Sequence, residues 1–215
     1  MHRGASPGIR VLHLMLLAAC CLGATAPNPS SQRLLEGLPP ELVDRLFEKN
    51  WILLQEIDND VASLSGGYLM AYVIFDQPFE RTYELLTQTS RQGEFRSDLS
   101  SVETVDRFPD GNLDEHQMKI LLMKIKYRLR YRTDPKRHRI SWSLDPDFKN
   151  DLDRIDGFWE VHPLDDGRTL ARLGTSVDVG SMLPSMLQNM ITSRNLPKAI
   201  ERCRIWINAN GGEER

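Results

Sequence analysis

Cysteine is scarce, and its placement excludes a stapled fold. Of three cysteines in 215 residues, Cys20 and Cys21 are adjacent near the N-terminus and only Cys203 lies further on. A single thiol in the folded region makes no internal disulfide there, so the domain depends on an apolar core. Cys203 falls on a helical apolar pattern and reads as a core residue rather than a nucleophile. A long apolar span is lacking too: the one sustained run, 11–22, is broken by His13 and is short for a bilayer crossing. Positive charge is not in excess. With 27 Lys and Arg against 30 Asp and Glu, the net charge of −3 argues against a dedicated nucleic-acid binder, so no nucleic-acid partner is expected. There is no repeat at solenoid or propeller spacing. Missing as well are the Gly-x-Ser-x-Gly elbow, the P-loop, the dinucleotide Gly-x-Gly-x-x-Gly and His-Glu-x-x-His, so no catalytic residue and no cofactor is expected.

What is present at the N-terminus has the layout of an export signal. Arg3 and Arg10 precede the apolar run, and no acid occurs before Glu36. The signal is expected over residues 1–26, followed by a Pro/Ser-rich linker at 27–37 that looks like a tether. Two endings stand open. Ala24-Thr25-Ala26 is a small-x-small site, but Pro27 after the cut obstructs ordinary signal peptidase. Leu17-Ala18-Ala19-Cys20 resembles a bacterial lipobox, in which the cysteine is acylated and becomes the first residue of the mature chain. The expected location is therefore periplasmic or secreted, with lipid anchoring through Cys20 as the second form.

The remaining chain, 38–210, reads as one domain with a short tail at 211–215. Prolines open a helix at about 40–49, and an apolar run starting at Trp51 and the aromatic, branched stretch 68–76 read as strands. The turn Gln77-Pro78 leads into a helix carrying Phe79, Tyr83, Leu85 and Leu86. A weaker strand, 97–108, ends at the turn Pro109-Asp110-Gly111-Asn112. The clearest pattern comes next. Met123, Ile125, Tyr127, Leu129 and Tyr131 alternate with Lys124, Lys126, Arg128, Arg130 and Arg132, which predicts an antiparallel strand wet on one face. Ile140, Trp142 and Leu144 repeat the alternation, as do Ile155, Gly157, Trp159 and Val161. Asp165-Asp166-Gly167 is a hairpin turn before a returning strand through 171–179. From Leu183 the period becomes helical and continues past Asn195-Leu196-Pro197 to Ile207. A one-faced sheet must bury its apolar side, and this final helix is the element long enough to cover it.

In this order of elements the chain resembles the START-like, or SRPBCC, helix-grip superfamily over roughly residues 38–210. Three stretches carry the resemblance. Val73-Ile74-Phe75-Asp76-Gln77-Pro78-Phe79 running into Glu80-Arg81-Thr82-Tyr83-Glu84-Leu85-Leu86 looks like the opening strand, proline turn and helix. Asp156-Gly157-Phe158-Trp159-Glu160-Val161 with Gly167-Arg168-Thr169 looks like the late hairpin. Residues 183–206 look like the gripping helix. The resemblance implies an α+β helix-grip fold, with a curved antiparallel sheet wrapped around a long C-terminal helix, and an apolar cavity between them. The superfamily includes lipid-transfer domains, coenzyme-Q-binding proteins and polyketide cyclases, and it fixes neither a ligand nor a universal catalytic residue.

Candidate cavity residues come from the inward faces: Met123, Tyr127, Tyr131, Trp142 and Trp159 from the sheet, with Met186, Met190 and Ile191 from the helix. The partner expected there is a hydrophobic small molecule or lipid, bound without catalysis. Convergent Tyr, His, Asp or Arg groups inside the cavity would instead favour a cyclase-type enzyme. A third reading is a filled core acting through the basic strip Lys124, Lys126, Arg128, Arg130 and Arg132, docked on an anionic membrane surface or partner. The acidic stretch Asp145-Pro146-Asp147, Asp151, Asp153 and Asp156 lacks the glycine and terminal glutamate of a calcium loop and reads as a solvated loop. His116, His138 and His162 have no second ligand at metal spacing, so no metal is expected.

Overall fold

The computed structural model describes residues 29–54, 69–120, 123–178 and 196–211. Two helices, α1 (Pro29–Leu35) and α2 (Pro40–Lys49), precede β1 (Trp51–Leu54) and β2 (Leu69–Phe75). Helix α3 (Phe79–Thr87) and a 3-10 helix (Thr89–Glu94) come next. Six strands follow: β3 (Leu99–Phe108), β4 (Gly111–Ile120), β5 (Met123–Asp134), β6 (Arg139–Leu144), β7 (Arg154–Pro163) and β8 (Thr169–Asp178). Helix α4 (Leu196–Asn210) ends the described chain. The strands form one curved antiparallel sheet in the order β1-β2-β8-β7-β6-β5-β4-β3. All neighbours but one are adjacent in sequence; the exception, β2 beside β8, joins the first half of the chain to the last.

Period-two alternation decides which side of each strand is buried. Ala71, Val73 and Phe75 of β2 and Ala171 and Leu173 of β8 point to the concave face, where Ile200, Cys203 and Ile207 of α4 meet them. Those three helix residues share one stripe at the i, i+3, i+7 spacing of an amphipathic helix. Polar contacts fix the end of α4 to the β2–α3 turn. Asn208 Oδ1 accepts the Asp76 backbone N–H at 3.0 Å, and Arg204 Nη1 pairs with Asp76 Oδ2 at 3.1 Å. The helix thus lies across the concave face at a defined angle rather than floating on an apolar bed.

The convex face has its own cover. Tyr72, Ile74 and Leu170 project outward and are packed by Leu34 of α1 and Leu46 of α2. Residues 29–35, expected as part of a tether, are therefore helical, with Leu34 only 2 % exposed. The outward apolar residues of β2 and β8 need a partner, and this segment supplies it.

One further difference from the sequence-based expectation matters. Strand β4 is absent from that expectation, because the residues it turns inward are Asn112, Asp114, His116 and Met118, three of them polar. The expected start of the gripping helix, 183–195, lies outside the described residues, as do the expected export signal and Cys20.

Candidate ligand cavity

A cavity of about 190 Å³ lies between the concave face, the 3-10 helix and α4. It exceeds the roughly 150 Å³ of an engineered apolar cavity that accepts benzene. Its walls are unlike each other. On one side Leu129, Ile140, Trp142, Ile155, Trp159, Leu173 and Val177 come from β5 to β8, and Leu196, Ala199, Ile200 and Cys203 come from α4. Gly157 shapes this wall: a Cβ there would overlap the Trp142 ring, so only glycine lets that indole lie across β7.

The opposite pole is polar. Thr89 and Gln92 of the 3-10 helix, Arg96 and Asp98 just before β3, and Tyr127 and Tyr131 of β5 line it. Arg96 Nη2 donates to Asp98 Oδ2 at 2.6 Å. Gln92 Nε2 donates to the Tyr131 hydroxyl oxygen at 2.8 Å. Behind this pole Asp114, fully buried, accepts hydrogen bonds from Thr89 Oγ1, from Thr104 Oγ1 at 2.7 Å and from Asn112 Nδ2 at 2.6 Å. Those bonds tie the 3-10 helix to β3 and β4 and hold the pole in place. His116, also fully buried, stacks on Tyr127 with ring centroids 5.0 Å apart.

Burial dominates the electrostatics. It pushes the His116 imidazole down to about 3, with the Arg96 charge adding to the effect. It raises both the Tyr127 and the Tyr131 phenol above their ordinary value, and lifts the Cys203 thiol to about 12. Burial also works against the charges of Arg96 and Asp98. Each is kept ionised by the other, the Arg96 guanidinium being hydrogen-bonded to the Asp98 carboxylate. The pole is thus a fixed ion pair beside two neutral phenols and a neutral imidazole.

No protein-family model matches the chain, and no curated protein aligns with it. Solved structures do. The Zhui aromatase/cyclase from Streptomyces sp. R1128 superposes with a TM-score of 0.57 at 15% identity, over 66% of this chain and 94% of that one. A STAR-related lipid transfer protein from Xanthomonas axonopodis gives 0.56 at 11% identity, over 74% and 98%. A START superfamily protein from Mycobacterium smegmatis gives 0.55 at 12%, over 66% and 97%. The chain has the START-like, helix-grip fold. Proteins of this shape include both a lipid transfer protein and an aromatase/cyclase, so the likeness establishes the fold without choosing between those activities.

Within this helix-grip frame the sequence-predicted residues separate. Tyr127, Tyr131, Trp142 and Trp159 line the cavity. Met123 is not among the lining residues; it opens β5 opposite Ile120 of β4, where β6 no longer runs alongside, and is 38 % exposed. Met186, Met190 and Ile191 lie outside the described residues. Arg96 and Asp98, the charged pair of the pole, do not stand out in the sequence. Their only signal is an Arg-Ser-Asp triplet between a helix and a strand, which looks like any polar loop.

The basic strip occupies the convex face and is largely paired. Lys126 and Arg128 meet Glu115 at 2.7 and 3.0 Å, Arg130 meets buried Asp145 at 3.1 Å, and Arg132 meets Asp110 at 2.6 Å. Lys124 is exposed at the end of the strip, opposite Lys119 in the register. Part of the acidic stretch is engaged as well. Besides Asp145, Asp151 Oδ2 accepts the Lys126 backbone N–H at 2.7 Å and Asp156 faces Arg154 at 3.5 Å. Among the described residues no three His, Cys, Asp or Glu side chains converge as metal ligands would.

Proposed function

We propose that this protein binds an apolar small molecule or lipid in the concave cavity and carries or sequesters it without chemical change. One observation carries the reading: the cavity joins an extended aliphatic and indole wall to a single fixed polar pole. Such a container suits an amphiphile with one polar end. Purified protein, denatured and extracted with organic solvent, should release about one equivalent of an apolar species detectable by mass spectrometry. Extracts with nothing beyond a control protein, combined with no uptake of lipid or quinone probes on refolding, would remove the reading.

Cyclase-type catalysis is the second reading, favoured by the convergence of Arg96, Asp98, Tyr127 and Tyr131. The protonation states weigh against it. A general acid or base works best with a pKa near the working pH. Here burial drives the imidazole down to about 3 and the phenols upward, so none of these groups is poised to exchange a proton near neutrality. Turnover of a poly-β-ketone thioester mimic, lost in Tyr127→Phe, would favour the enzyme.

Export, with or without lipid attachment at Cys20, belongs to the same proposal and rests on residues 1–26. Loss of the protein from the membrane fraction on Cys20→Ala would support the anchored form; unchanged partition would support the soluble one. Four of the five cations of the convex strip are already engaged by carboxylates, so the cavity and not the strip carries the functional reading.

A further inference from the structure

In a cavity that holds a ligand, as proposed, the polar pole offers more than a place for a polar end, and its selectivity rests on that reading. Arg96 is not a free cation waiting for an anion. Its guanidinium is already engaged by Asp98 at 2.6 Å, and that carboxylate itself lines the cavity. An anionic head group entering the pole would meet Asp98 as a like charge at short range in a poorly solvated space. Arg202 approaches the pair from α4, but it is exposed and bound to Ser97 Oγ, so it does not offset Asp98 from within the cavity. Donors and acceptors are nevertheless both on offer. Asp98 accepts. Arg96 donates. The Tyr131 oxygen receives the Gln92 N–H, which leaves the phenol proton to be given away.

We infer that Asp98 is a specificity-determining residue that restricts the ligand to an uncharged amphiphile with a hydroxyl head group and rejects carboxylates. A hydroxyl both donates and accepts, so it can satisfy Asp98 and a phenol or guanidinium donor together. A carboxylate can only accept, and would have to displace Asp98 from Arg96. Selectivity of this kind works by penalising the wrong head group as much as by welcoming the right one.

The test compares two probes with one ring system, 2-naphthol and 2-naphthoate, titrated calorimetrically near pH 7 into the full chain and into Asp98→Asn. The wild-type protein should prefer the naphthol by at least about tenfold. In D98N the freed guanidinium should accept the carboxylate, bringing naphthoate within about threefold of naphthol or ahead of it. Asp98→Ser serves the same comparison should D98N not fold. A plain apolar cavity also prefers naphthol, but its preference would not change with residue 98, so an unchanged ratio in both variants overturns the inference and leaves the binding reading intact. Naphthoate binding the wild type as tightly as naphthol overturns it too. Failure of both probes to bind the wild type removes the cavity reading, and this inference with it.

Discussion

The two walls of the cavity are built on opposite logics. From β6 to β8 and α4 the inward positions are mostly aliphatic or indole, and the wall is an apolar core with one side left open. From β3 to β5 and the 3-10 helix the inward positions include Thr104, Asn112, Asp114, His116, Tyr127 and Tyr131, linked by hydrogen bonds and ring contacts. The first wall is held by burial, which is non-directional and tolerant. The second depends on partners, each of which would be costly to orphan. Under the proposed function, a ligand would be gripped loosely along its length and read closely at one end.

Substitutions should separate the two logics, the largest effects first. Phe75 is fully buried in the packed cluster between β2 and α4, and Phe75→Ala should cost about 3–5 kcal/mol in urea unfolding. Trp142 faces the cavity, so part of its surface already lacks partners, and Trp142→Ala should cost clearly less despite removing more atoms. Equal losses would show that the cavity is closed over by packing in solution. At the polar pole, Arg96→Met strands the Asp98 carboxylate and should cost about 3 kcal/mol, whereas Arg96→Met combined with Asp98→Leu should recover most of it. A double variant as unstable as the single one would mean the pair is not what holds the pole.

His116 adds a pH dependence with a definite sign. Its folded-state value of about 3 lies far below the ordinary imidazole value. The unfolded chain therefore takes up a proton near pH 6.5 that the folded chain refuses until about pH 3. Acidification through that window favours unfolding, by up to about 1.4 kcal/mol per pH unit. His116→Phe keeps a ring against Tyr127 and removes the proton, so the slope of stability against pH should flatten between about 6 and 4; an unaltered slope would place the acid sensitivity elsewhere. The smallest effect is expected on the convex face. Arg132 and Asp110 are both more than half exposed, and Arg132→Ala should change stability by no more than about 0.5 kcal/mol in thermal unfolding.

The same contrast explains what could be read from the sequence. The apolar wall announced itself. In β5 and β6 inward apolar residues alternate with outward polar ones, β7 and β8 keep a largely apolar inward face, and in α4 Ile200, Cys203 and Ile207 fall at helical spacing, so these elements, their inward faces and Tyr127, Tyr131, Trp142 and Trp159 were legible. The polar wall was illegible for a physical reason. In β4 the residues turned inward are polar and an outward one is Leu113, which inverts the expected alternation and erases the strand from a hydrophobicity pattern. Arg96 and Asp98 matter because the fold sets them against β5 side chains far along the chain, and adjacency of that kind leaves no local mark. On the convex face the alternating cations of β5 were plain, but the carboxylates that neutralise them come from β4 and from two loops, so the strip looked freer than it is.

The claim that the concave cavity holds the ligand is tested most directly by filling it. Ala199 of α4 lines the cavity, and Ala199→Phe should occupy the space without disturbing the sheet. Uptake of the uncharged fluorescent probe N-phenyl-1-naphthylamine should saturate at one molecule per wild-type chain and weaken at least about tenfold in A199F, with the thermal midpoint of the variant unchanged or raised. Equal uptake by both proteins, with the variant equally folded, would contradict the account, because the probe would then bind somewhere other than between the sheet and α4.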